Sequence, residues 1–168
     1  MAATFTWAQS NGVTSAEAST DLGISGNLFN FKRADDATAA NYSSNPITAG
    51  QNSYEVYLRG KFTGTFNTID NVQFWKSTDF SPATGLAVKW DPTTPSAYAT
   101  PVTGVSRAVS GIPSGDPGTA NVRCRGGLAS GLVASGYTDY LVLQLATTSA
   151  APAGDTSLAI FTMNYDES

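Results

Sequence analysis

The stretch SYEVYLRGKFTGTFNTIDNVQFWKS, residues 53–77, constrains this chain most, because apolar and polar side chains alternate along it with period two. Tyr54, Val56, Leu58 and Phe62 fall on one side and Glu55, Tyr57, Arg59 and Lys61 on the other, as in a strand with one buried and one wet face. After a turn at 66–70 the alternation resumes with Val72 and Phe74. That phase sets Trp75 on the polar side with Gln73 and Ser77, where so large a ring needs a reason.

Similar strand character is present at 4–8, 27–32, 85–90, 137–147 and 157–165, and more weakly at 121–125. Turn chemistry separates these segments: Asn11-Gly12, Asn45-Pro46, Asp91-Pro92, a Pro/Gly-rich run at 112–118, and 150–154. The best helical candidate, 15–21, is about two turns long and rich in Ser and Thr, which form helices poorly. The pattern predicts an all-β fold, a single-domain antiparallel β-sandwich or jelly roll of about eight strands with long loops, spanning residues 1–168. A chain of this length buries enough surface to hold a core without metal or disulfide staples. The expected core comprises Phe5, Trp7, Tyr54, Val56, Leu58, Phe62, Phe74, Val88, Trp90, Leu143 and Phe161. Residues 91–136 have little periodicity and read as a long, loop-rich excursion from that core.

The charge pattern narrows the partners. Charged residues are 13% of the chain, against roughly 25% in ordinary soluble domains. A neutral, hydroxyl-rich surface on a β-rich chain suits contact with neighbouring subunits. Net charge is -4, with nine basic residues scattered along the sequence, so no basic footprint for nucleic acid is present. No apolar run approaches the roughly 20 residues of a membrane helix, and no membrane is expected. MAATFTWAQS lacks a basic region followed by an apolar run, so synthesis in a cytoplasm without a signal peptide is expected.

Catalytic chemistry finds little purchase. The chain has no histidine, which excludes Ser-His-Asp and Cys-His mechanisms and His-ligated metals. Cys124 is the only cysteine, so neither an intrachain disulfide nor a multi-cysteine zinc site can form. Its neighbours Arg123 and Arg125 would point away from it in a strand. Asp35-Asp36 and Asp166-Glu167 are adjacent pairs, but a glycosidase needs two carboxyls held about 5–10 Å apart across a sugar. An enzyme would have to gather Glu55, Asp70 and Asp79 into a cleft. Asp35, Asp36 and Asn41 supply calcium-type oxygens without EF-hand spacing, and Asn41-Tyr42-Ser43 fits a glycosylation sequon that matters only after secretion. We expect no catalytic residues, no cofactor and no metal.

The aromatics carry more. Trp7 shares a face with Phe5, and Trp90 with Leu86 and Val88, which places both tryptophans in the core. Trp75 and Tyr57 fall on polar faces and would form one exposed aromatic patch if their strands pair. Such a patch serves as a protein interface or a sugar-stacking platform, with Tyr98 as a further ring, unless a loop from 91–136 covers it.

Three blocks carry a family likeness: MAATFTWAQ at the start, GNLFNFKRADDAT followed by AGQNSYEVYLRGKFTG, and the closing strand SLAIFTMNYDES. In composition, strand spacing and its ending on a strand, the chain resembles structural proteins of tailed bacteriophage particles, especially small β-sandwich decoration or cement proteins. The resemblance implies a non-enzymatic virion protein on the capsid surface that binds the major capsid protein or other virion subunits, with room for self-association, and reinforces the shell. Trp75 and Tyr57 are the candidate interface residues. The other readings are a tail or neck component and a carbohydrate-binding module using the same two aromatics.

Overall fold

The alternating stretch folds as two strands that end up in different sheets, each antiparallel to its own partners. The computed structural model describes residues 2–13, 16–22, 29–35, 43–104, 106–154 and 156–168, with only the backbone path for 16–22. Its strands are β1 (Thr4–Asn11), β2 (Ala16–Leu22), β3 (Val56–Thr63), β4 (Ile69–Thr78), β5 (Leu86–Trp90), β6 (Ser110–Gly111), β7 (Gly136–Tyr137), β8 (Leu141–Thr147) and β9 (Ile160–Glu167). No helix is present among the described residues, and therefore none long and apolar enough to cross a membrane.

The larger sheet runs β2-β1-β3-β8-β5-β6, with β7 on the end of β3, and the smaller is β4-β9. All pairings are antiparallel. The all-β, sandwich-like fold agrees with the periodicity. Between the sheets lie Val56, Leu58 and Phe62 of β3, Leu141, Leu143 and Leu145 of β8, Val88 and Trp90 of β5, and Ile69, Val72 and Phe74 of β4. Phe74 is central, with ring centroids 6.1 Å from Trp7, 5.9 Å from Trp90 and 6.0 Å from Phe161. Gly60 lets the layers approach: a Cβ there would lie 2.8 Å from the Met163 sulfur and 3.0 Å from the Phe5 ring.

Most expected core residues are buried, with Phe5, Trp7 and Phe161 partly exposed at the rim. Tyr54 is the exception. It precedes the start of β3, donates its backbone N–H to Lys32 C=O at 2.9 Å, and lines a small cavity with Gln9 and Lys32 instead of joining the core.

Other expectations are corrected by pairing that local sequence does not encode. Of the helical candidate at 15–21, residues 16–21 fall in β2, laddered to β1, because an open strand edge satisfies their backbone groups, and residue 15 lies outside the described residues. Of the strand expected at 27–32, residues 29–32 are irregular and 27–28 lie outside the described residues. The strand at 137–147 is broken where Thr138 donates its N–H to Gly60 C=O and Asp139 donates to Arg123 C=O, each at 2.9 Å. Residues 91–136 are woven into the core, to which they contribute Ile112, Val122, Cys124 and Leu132.

Candidate functional site

The outer face of the small sheet is set by two irregularities in β4. Register shifts between Asp70 and Gln73 and between Lys76 and Thr78, and each places an extra residue on β4 rather than β9. Asn71 sits at the first with φ of 48°, a left-handed conformation that asparagine tolerates better than most residues. Val72 and Phe74 then face the core, while Gln73 and Trp75 face outward opposite Asn164 and Thr162 of β9.

The outward side chains interlock. Asn71 Nδ2 donates to Asp166 Oδ2 at 3.0 Å, Gln73 Nε2 to Asn71 Oδ1 at 3.5 Å, and Asn164 Nδ2 to Gln73 Oε1 at 3.3 Å. Thr162 Oγ1 donates to Ser77 Oγ at 3.1 Å. Trp75 stands half-buried beside this ladder and belongs to neither apolar cluster of the protein. The result is one large ring on a pre-ordered polar surface whose charges, Asp70 and Asp166, face each other at the far end of the ladder.

Tyr57 does not join it. The two strands lie in different sheets, β3 between β1 and β8 and β4 beside β9, so the expected aromatic patch does not form. Tyr57 is only 1% exposed, packed with Tyr140, Val142 and Tyr98 in a second apolar cluster on the outside of the larger sheet. Ring centroids are 4.9 Å away for Tyr98 and 5.6 Å for Tyr140. The interface assignment fails for Tyr57 because a loop from 91–136 covers it, and Tyr98 is part of that cover.

Glu55 fastens the loop, a role the alternation did not reveal. Its buried carboxylate accepts from Ser106 Oγ, from the N–H of Arg107 at 3.2 Å and from the N–H of Val102 at 3.3 Å. Its own N–H donates to Val102 C=O at 3.0 Å. Burial, reinforced by the Glu55 charge, pushes the Tyr57 phenol up to about 12, and burial raises Tyr98 as well. The sequence signal for this anchor was a carboxylate beside tyrosines on a supposedly wet face, which also describes an ordinary surface.

The remaining candidates are dispersed. Asp70 and Asp79 flank the length of β4, nine residues apart, about 30 Å along a strand. Asp79 pairs with Lys76 at 2.6 Å, and Glu55 serves the loop on the other sheet, so these three carboxylates do not share a cleft. Asp35 accepts the Gly12 N–H at 3.0 Å, while Asp36, Asn41 and Tyr42 lie outside the described residues. Asp166 is in the polar ladder, and Glu167 Oε1 accepts the Ala3 N–H at 2.8 Å. Cys124 is buried, and burial followed by the charges of Asp139 and Asp70 pushes its thiol up to about 11. A cleft of about 1150 Å³ opens at one end of the sandwich, among Trp7, Phe29, Phe31, Phe80, Leu145 and Phe161. Among the described residues that line it none is charged.

No protein-family model matches this chain, and neither a curated protein nor a solved structure is detectably similar to it.

Proposed function

We propose that this chain is a non-enzymatic structural protein that docks on other protein subunits through the Trp75 face of β4-β9. With the sequence resemblance, the proposal extends to a virion: a decoration or cement protein on a tailed-phage capsid, bound to the major capsid protein and reinforcing the shell. A tail or neck position would use the same face. The observation that carries the reading is the placement of Trp75, outside both apolar clusters and among side chains already fixed by one another. Interface centres are depleted in charge and enriched in such rings, and a pre-ordered surround lowers the entropic cost of binding. Truncating a central aromatic of this kind typically costs at least about 2 kcal/mol, roughly a thirtyfold loss of affinity. Co-sedimentation with undecorated tailed-phage capsids tests it. Trp75→Ala should keep the wild-type circular dichroism and lose most of its capsid binding. Equal binding by the two proteins would refute the assignment.

The amides and hydroxyls around the ring also favour a second reading, because Asn71, Thr162 and Asn164, held in place by the buried Gln73, are the kinds of group that recognise sugar hydroxyls. With Tyr57 and Tyr98 packed against each other on the other sheet, the platform would rest on Trp75 alone. Quenching of its fluorescence by soluble glycans, without capsid binding, would make this the better account.

A further inference from the structure

The chain treats the two edges of its small sheet differently. Along the edge of β4 away from β9, Pro113 C=O accepts the Lys76 N–H at 2.9 Å, and Val72 C=O accepts the N–H groups of Asn121 and Val122 at 3.1 Å. The Asn121 side chain completes the cap, its Oδ1 accepting the Phe74 N–H at 2.8 Å and its Nδ2 donating to Phe74 C=O at 2.9 Å. Beneath that cap the inward residues Ile69, Val72 and Phe74 are 0–1% exposed.

The far edge of β9 has no such cover among the described residues. Among the described residues, Ile160–Glu167 makes backbone hydrogen bonds only through its ladder to β4. Its inward side chains Phe161, Met163 and Tyr165 stay partly exposed although they pack on the core, and Ile160 at its start, which with Phe161 also lines the cleft, is 54% exposed. Few features that blunt free edges are present: IFTMNYDE contains no proline, lysine or arginine, its two charges, Asp166 and Glu167, are confined to its C-terminal end, and both bulged residues of the sheet are on β4.

We propose that β9 pairs edge to edge with β9 of a second copy of this chain, antiparallel about a two-fold axis, to make a four-stranded β4-β9-β9-β4 sheet. The occupant follows from the strand's own sequence. A two-fold normal to the sheet requires opposed side chains to share a face, so the pairing is centred on one residue. Centred on Met163, it sets Phe161 of one copy against Tyr165 of the other, covering two of the rings left partly exposed. Thr162 then faces Asn164, and Asp166 faces Ile160, so no acid opposes an acid. A parallel pairing would instead stack Asp166 and Glu167 on their counterparts. The axis brings the two Trp75 faces to the same side, so the dimer would present two docking rings at once. This pairing is independent of what those rings bind.

Sedimentation velocity on the full chain without capsids tests it. A concentration-dependent dimer is expected. The double variant Thr162→Lys/Asn164→Lys, altered only on the outward face, places like charges opposite each other across the axis and should weaken the dimer about tenfold or more. Hydrogen exchange on the wild-type protein gives a second readout should that variant misfold: β9 amides should gain protection with concentration while β4 amides do not. A wild-type chain that stays monomeric at high concentration would overturn the proposal, as would a dimer without concentration-dependent protection in β9. Capsid attachment by a strictly monomeric chain would remove the dimer and leave the docking reading standing.

Discussion

Leu143 is fully enclosed, paired between Val56 of β3 and Trp90 of β5. Leu143→Ala should therefore cost about 2–5 kcal/mol in chemical denaturation. Trp75, larger but outside both apolar clusters, should cost about 1 kcal/mol or less when truncated, within reach of ordinary surface changes. Tyr57 gives a pH test. Its phenol is raised from 10.0 to about 12, so between those values the unfolded chain loses a proton that the folded chain keeps. Stability is then fully present below about pH 10 and falls as pH rises toward 12. Denaturation midpoints measured across that range should fall less steeply in Tyr57→Phe than in wild type. At this scale the sequence was informative wherever alternation met a core: Val56, Leu58 and Phe62 are buried as their phase demands. It was misleading at Tyr57, because the cover comes from a segment with no periodicity of its own, more than thirty positions away and held by Glu55.

The elements with the clearest strand patterns, β3, β4, β8 and β9, formed close to where periodicity set them. β2 was not legible, since its strand conformation depends on the edge of β1 and not on an apolar face read along the chain. The weak strand expected at 121–125 did not form, yet one of its residues still does a strand's work: the Asn121 carboxamide replaces a backbone partner on both polar groups of Phe74. Asn121→Ala removes both bonds and should destabilise the protein by about 1–3 kcal/mol, since a buried backbone donor and acceptor lose their partners. Faster amide exchange at Phe74, with β8 unchanged, would locate the damage at that edge. Nothing in one sequence distinguishes such an asparagine from a turn residue, because its role exists only once β4 lies alongside it.

For the molecule as a whole, composition pointed to contact with protein, and the structure supplies a face on which that contact is physically reasonable: low in charge, internally bonded, and carrying one ring that the core does not use. The capsid assignment rests on the resemblance of three sequence blocks and on this face together. Its most direct test is hydroxyl-radical footprinting of the three tryptophans with the chain free and with the chain bound to undecorated tailed-phage capsids. Trp90, buried in the sandwich, and Trp7, partly exposed at its rim and lining the cleft, serve as internal references away from the Trp75 face. The account predicts that oxidation of Trp75 falls several-fold on the capsid while Trp7 and Trp90 keep their rates. If the chain binds capsids and Trp75 is oxidised as readily as in free solution, the claim that this face is the docking surface is wrong.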